Sequence, residues 1–202
     1  MNADGDINMP TAVYLARHGE TEWALSGRHT GRTDIPLTIR GEADALKLGE
    51  RLKGITFAHV LTSPLQRAKR TTEIAGYSGQ LRDEPGLLEW HYGSYEGLKS
   101  VEIRQKAPGW HLFRDGCPGG ESPDQVAARV DELLGRVNAL DGNVILFAHG
   151  HILRVVASRF LGSPVAMGEK LFLGTASVSI LGFEHPPHDP VIRLWNDRHH
   201  VE

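Results

Sequence analysis

Residues 12–21 read Ala12-Val13-Tyr14-Leu15-Ala16-Arg17-His18-Gly19-Glu20-Thr21, five apolar residues running straight into a charged and polar tip. A short run containing Val, Tyr and Leu suits a buried strand. Val144–Ala148 repeats the pattern and leads into His149-Gly150-His151. Ala58–Thr62 is a further short apolar strand, followed by Ser63-Pro64 and then Arg67. Helical patterns fill the chain between these strands. Strands alternating with helices imply an α/β fold, a three-layer sandwich whose mostly parallel central sheet is flanked by helices on both faces.

Working outward, Thr38–Lys53 reads as a helix capped by Thr38, with Ile39, Ala43, Leu46 and Leu52 near one face. Ser63 as N-cap and Pro64 as first helical residue start a helix running to about Ala75. Leu81–Asp83 is a short strand. Glu84–Ser122 is loop-rich, with one short helix near Val101–Lys106. Pro123–Leu140 is a helix whose Val126, Val130, Leu133, Leu134 and Val137 fall at helical spacing, and Ile152–Leu161 is a buried helix. Ser177–Phe183 and Pro190–Trp195 pair as a hairpin. Residues 1–10 form a flexible, polar N-terminus, and no linker divides 11–202, which reads as a single domain.

Composition narrows the function. The 202 residues include 22 Lys+Arg and 25 Asp+Glu, a net charge of −3, with 40% hydrophobic residues. That balance offers no electrostatic footprint for nucleic acid. The longest apolar runs are far short of the ~20 residues of a membrane span. The first ten residues carry two Asp, no Lys or Arg and no apolar core, unlike a signal peptide. One cysteine, Cys117, forms no internal disulfide, which points to the cytoplasm.

Ligands in such sheets bind beyond the carboxyl ends of the strands. Parallel strands therefore bring Arg17, His18, Arg67 and His149 to one edge. Arginine forks match phosphate oxygens, and a neutral imidazole can accept a phosphoryl group covalently. The departing oxygen needs an acid, for which Glu89 and Glu96 are candidates. Glu89 sits among Leu88, Trp90 and Tyr92, apolar surroundings that favour a protonated carboxyl. Glu96 either takes part or only orients its loop. Taken alone, His18 also reads as a satisfied structural histidine, and Arg67 as a helix-surface charge. His149 and His151 have no third ligand at a supporting spacing, so no metal is assigned. His151 reads as a supporting or capping residue, and Arg154 as a candidate for a substrate's distal group. Arg28, His29 and Arg32 lie near the first motif, where they either meet an anionic substrate or decorate a solvated loop. His199 and His200 read as tail residues.

These residues carry a family resemblance. LARHGETEW (15–23) resembles the signature of the histidine phosphatase superfamily, the phosphoglycerate-mutase-like proteins. The likeness continues in order through GRHTGRTDIPLTIRGEADA (27–45), TSPLQRAKRTTEIA (62–75), LLEWHYGSYEGL (87–98) and FAHGHILR (147–154). It implies His18 as phosphorylated nucleophile, with Arg17, Arg67 and His149 holding the phosphoryl group and Glu89 as proton donor. It also implies a substrate-binding set of Arg17, Thr30, Gly31, Arg67, Tyr92, His149 and Gly150. No cofactor or metal is implied. The partner is a small phosphorylated metabolite, and a homodimer is common in the family.

Departures separate the branches. Ala24 stands where the mutases dependent on 2,3-bisphosphoglycerate carry Asn. Gly93–Ser100 differs from their run, and Arg114 is isolated where they carry an Arg pair. The YGSYEG, GRHTGRTD and GCPGGES stretches are similar to acid phosphatases and to the sedoheptulose-bisphosphatase type. A phosphatase acting on sugar phosphates or bisphosphates is therefore expected, with phosphoglycerate mutase as the alternative.

Overall fold

A computed structural model describes residues 10–202. Its strands are β1 (Pro10–Arg17), β2 (His59–Thr62), β3 (Leu81–Asp83), β4 (Gly142–Ala148), β5 (Val178–His185) and β6 (His188–Asp197). They form one sheet in the order β3-β2-β4-β1-β5-β6. β3, β2, β4 and β1 are mutually parallel, while β5 and β6 form the antiparallel hairpin at one side. Residues 1–9 of the expected N-terminal segment lie outside the described residues. Pro10, assigned to that segment from sequence, is instead buried at the start of β1.

The helices are α1 (Glu22–Ser26), α2 (Ile39–Leu52), α3 (Gln66–Thr72), α4 (Ser100–Lys106), α5 (Leu112–Asp115), α6 (Pro123–Asn138) and α7 (Gly150–Phe160). Alternation along the strands divides the core. Val13, Leu15, Val144, Leu146 and Ala148 pack with α6 and α7, whose Val126, Val130, Leu133, Val137, Ile152 and Val156 are fully buried. Ala16, Ile145, Phe147 and Val60 pack on the other face with Leu48 and Leu52 of α2. The three layers expected from the sequence are therefore present.

Three local readings change. α2 begins after Thr38, whose hydroxyl accepts the Gly41 N–H at 2.9 Å, but it turns a different face inward. Gly41, Ala45, Leu48 and Leu52 are buried, whereas Ile39 is 92% and Leu46 60% exposed. Both stripes share the i, i+4, i+7 spacing. The close approach decides between them: a Cβ at Gly41 would collide with the Glu20 carbonyl, so only the glycine stripe can lie against the loop after β1. Second, α3 starts only at Gln66, after Leu65, whose side chain caps nothing, and the Ser63 hydroxyl accepts the Leu65 N–H at 3.4 Å and the His149 Nε2–H at 2.7 Å. α3 then widens into a turn at Glu73–Tyr77, with Gly76 at φ +97°. Third, the loop-rich stretch contains α5 in addition to α4. α1, capped by the Thr21 hydroxyl, is also absent from the sequence reading. The other elements lie close to their expected bounds, including α6, where Ser122 and Gln125 cap each other.

Register positions the site. Arg17 pairs with Ala148 and Thr62 with Phe147, so the three parallel strands finish level. Beyond those ends the backbone N–H of His18 donates to Ala148 O, and that of Ser63 to Phe147 O, both at 2.9 Å. His18, Ser63 and His149 thus leave the sheet side by side.

Candidate active site

At that edge the His18 and His149 rings lie 5.2 Å apart between centroids. His18 is buried, and its Nδ1 lies 2.7 Å from the Gly19 carbonyl. A carbonyl only accepts, so Nδ1 carries the hydrogen and Nε2 keeps its lone pair. Burial, reinforced by the Arg67 and Arg17 charges, holds the imidazole well below its usual pKa of 6.5. At neutral pH His18 is therefore an uncharged base with Nε2 available.

Arg67 is fully buried, contrary to its surface alternative. Its Nε donates to His149 Nδ1 at 3.1 Å, Nη1 to Thr33 O at 3.0 Å, and Nη2 to Thr30 O and Gly31 O at 3.1 and 2.8 Å. Four of the five N–H donors of the guanidinium are thereby fixed. Because Arg67 donates to Nδ1, His149 carries its hydrogen on Nε2 and donates it to Ser63 Oγ at 2.7 Å. Burial and the Arg67 charge keep His149 neutral, well below its usual pKa.

Arg17 donates from Nη1 to Leu173 O at 2.6 Å. Its Nε is buried with no hydrogen-bond partner among the described residues. Burial lowers Arg17 to about 10, against the opposing pull of Glu89, and leaves it charged at neutral pH. Its guanidinium lies on Gly150, where a Cβ would sit 3.2 Å from Cζ.

Glu89 is buried, but not in the purely apolar setting read from its neighbours. Oε1 accepts from Trp90 N at 2.9 Å and Ile152 N at 2.8 Å, and Oε2 accepts from His151 N at 3.0 Å. The carboxylate thus caps the start of α7 from another segment, satisfying N–H groups that α7 itself leaves open. Glu96 does not join the cavity. Its Oε1 accepts the N–H groups of Gly31 and Thr33 at 2.8 and 3.2 Å, so it orients the loop that grips Arg67.

These groups surround a cavity of about 150 Å³. Of the residues selected from sequence, Arg17, His18, Thr30, Glu89, Tyr92 and Gly150 line it, while Gly31, Arg67 and His149 stand behind its wall. Arg28, His29, His151 and Arg154 line it as well, with Arg28 exposed and His29 buried, whereas Arg32 is exposed and is not part of the lining. Its volume is below the ~300 Å³ of a drug-sized pocket and suits a phosphoryl group with a small leaving group.

Sequence reasoning missed four participants. Ser63 was assigned to a helix cap, although its place at a strand end beside His149 was a usable signal. Leu173 O and Ala176 N act through the main chain, the latter donating to His18 O at 3.0 Å from a residue at φ +53°. His200, read as tail, reaches the Ala176 carbonyl at 2.8 Å.

Fold and site together define a protein that handles phosphoryl groups. The family model described as histidine phosphatase superfamily (branch 1) matches residues 13–198, and the chain belongs to that family. An acid phosphatase of Mycobacterium tuberculosis is 40% identical over 178 residues, 86% of this chain and 87% of that protein. A sedoheptulose 1,7-bisphosphatase of Saccharomyces cerevisiae is 34% identical over 185 residues, covering 75% and 68% respectively. A probable phosphoglycerate mutase, GpmB, of Photorhabdus laumondii is 35% identical over 185 residues, covering 87% and 86%. The solved structure of an open reading frame product from Mycobacterium tuberculosis superposes with a TM-score of 0.84 at 37% identity, covering 92% and 96%. Among the described residues, no helix is long and apolar enough to cross a membrane.

Proposed function

We propose that this chain, acting as a single domain over residues 11–202 in the cytoplasm, hydrolyses phosphomonoesters of small metabolites through a phosphohistidine on His18. The enzyme class, a phosphoric monoester hydrolase, follows from the family and its phosphatase relatives. The observation that carries the residue assignment is the His18 tautomer: Nδ1–H is tied to Gly19 O, leaving Nε2 as an uncharged nucleophile between two guanidinium groups.

In the first step Nε2 forms a bond to phosphorus as the ester P–O bond breaks, and Glu89, which takes up a proton as the anionic substrate binds beside it, gives that hydrogen to the departing oxygen. Arg17, which lines the cavity, turns its guanidinium charge on the phosphoryl oxygens, while Arg67 supplies a rigid charge from behind. In the second step Glu89, now a carboxylate, takes a proton from water, the water oxygen bonds to phosphorus, and the N–P bond breaks. Phosphate leaves and Glu89 is again protonated. Gly31, Thr30 and His149 serve by holding Arg67 and the pocket wall; Tyr92 and Gly150 contact the substrate.

Hydrolysis is favoured over the mutase reading by the phosphatase relatives and by Ala24 and the Gly93–Ser100 run. The test is inorganic phosphate release from phenyl phosphate, 3-phosphoglycerate and sugar mono- and bisphosphates, with and without 2,3-bisphosphoglycerate. Steady release that disappears in His18→Ala is expected. Activity surviving in that variant refutes the nucleophile, and 2-phosphoglycerate formed from 3-phosphoglycerate without phosphate release refutes hydrolysis.

A further inference from the structure

The cavity has walls of two chemical kinds. Arg17, Arg28 and Arg154 present guanidinium groups, which suit anionic oxygens. His29 and His151 present neutral imidazoles, because burial holds His29 at about 4 and His151 well below its usual value. The two rings lie 5.7 Å apart between centroids. An uncharged N–H does not favour a charged oxygen over a hydroxyl as a cation does, so this wall is suited to a different part of the substrate.

His151 is held in one orientation. Its Nδ1 is 2.5 Å from the Tyr92 hydroxyl, and its ring centroid is 5.5 Å from that of Phe113. Burial and the nearby Glu89 charge raise the Tyr92 phenol well above 10, so it keeps its hydrogen. No other acceptor for that hydrogen is present among the described residues. Tyr92 therefore donates to Nδ1, and the ring hydrogen sits on Nε2. Among the described residues no protein atom bonds Nε2, nor is it sealed inside the protein, so it opens on the cavity that His151 lines.

The same residue flanks the acid. Glu89 Oε1 accepts two N–H groups, whereas Oε2 accepts only that of His151 and keeps room for the leaving group. His151 Nδ1 is 3.8 Å from that Oε2. The ring therefore stands next to where the departing oxygen and its carbon must lie.

From this placement we infer that His151 determines substrate specificity: its Nε2–H donates to a hydroxyl oxygen on the carbon next to the esterified one. The site then prefers phosphate esters of polyhydroxylated chains to those of plain alcohols. This rests on the phosphatase reading above. A site built to bond a hydroxyl rejects an analogue that lacks it, whereas guanidinium contacts to the phosphoryl group are common to both esters.

The experiment compares kcat/KM for glycerol 3-phosphate and n-propyl phosphate, two alkyl esters of like charge and leaving-group class, with phenyl phosphate as a third substrate. The unmodified protein should favour glycerol 3-phosphate over propyl phosphate by about tenfold or more. His151→Leu should collapse that ratio towards one, and His151→Gln, whose amide N–H reaches a similar position, should restore much of it. A ratio unchanged by His151→Leu overturns the inference. So does an equal loss on both alkyl esters with phenyl phosphate spared, which would make His151 a support for Glu89 instead. Loss on all three substrates alike, with no rescue by His151→Gln, also overturns it by making the role structural. Absence of phosphate release from every ester by the unmodified protein would refute the phosphatase reading itself.

Discussion

Removing the Glu96 carboxylate tests how the buried cation is held. Glu96 touches neither the cavity nor Arg67, yet its Oε1 accepts the N–H groups of Gly31 and Thr33, whose carbonyls, with that of Thr30, fix Arg67. In Glu96→Ala the buried Gly31 N–H loses its acceptor, at a cost of about 1–3 kcal/mol, while half-exposed Thr33 recovers part of its bond from water. The sum is roughly 2–3 kcal/mol, a large share of the ~5–15 kcal/mol stability of a typical domain. At ~2–4 °C per kcal/mol for this chain length, melting should fall by about 5–10 °C. A loosened loop displaces Arg67, and a displacement near 1 Å costs on the order of 10²-fold in rate. Thermal melting and kcat/KM for phenyl phosphate are the assays, with Glu96→Gln as companion. The Gln carbonyl still accepts both N–H groups, so it should recover most of the stability. Melting within 2 °C of the unmodified protein, with full activity in Glu96→Ala, would refute the linkage from Glu96 to Arg67.

Two further outcomes follow from the same geometry. His29 is held at about 4 by burial against ~6.5 in the unfolded chain, so the unfolded state binds more protons between those values. Stability should be full at pH 7.5 and drain as pH falls below ~6.5, with roughly 2–3 kcal/mol lost at pH 4.5 from this group. Buried His18 and His149 and half-buried His151 act in the same direction. Urea titrations at the two pH values should show the loss, and His29→Gln should shrink it; an identical loss in that variant would absolve His29. Gly41→Ala should destabilise, although alanine normally gains ~1 kcal/mol over glycine within a helix. Its Cβ meets the Glu20 carbonyl, and overpacking of this kind costs ~1–3 kcal/mol. A raised melting temperature would show that α2 shifts without penalty.

The sheet and the convergence of His18, Arg67 and His149 were legible because strand runs such as Val144–Ala148 are contiguous and their polar tips adjoin them. The inward face of α2 was not, since Ile39-Ala43-Leu46 and Gly41-Ala45-Leu48 share one spacing and only a contact with distant Glu20 separates them. Ser63 was misread for a related reason: Ser-Pro is a sound local start signal, but the helix begins only at Gln66, and nothing local shows that the hydroxyl also accepts from distant His149. Nothing local reveals that Glu89 caps α7, because the two donors from that helix, the N–H groups of His151 and Ile152, are 62 and 63 residues away in sequence. The contribution of Leu173 and Ala176 is invisible to residue type, since only their main-chain groups act.

That last point bears on how the protein could be altered. Arg17 and Arg67 lean on the carbonyls of Leu173, Thr30, Gly31 and Thr33, and carbonyls persist whatever side chain is attached. The two loops can therefore exchange many of their side chains, Gly31 excepted, without loosening the grip on either guanidinium, provided the backbone keeps its path. Reactivity and selectivity are thus separately editable: libraries at Thr30 and exposed Phe172 would resurface the pocket around an unchanged phosphoryl cage.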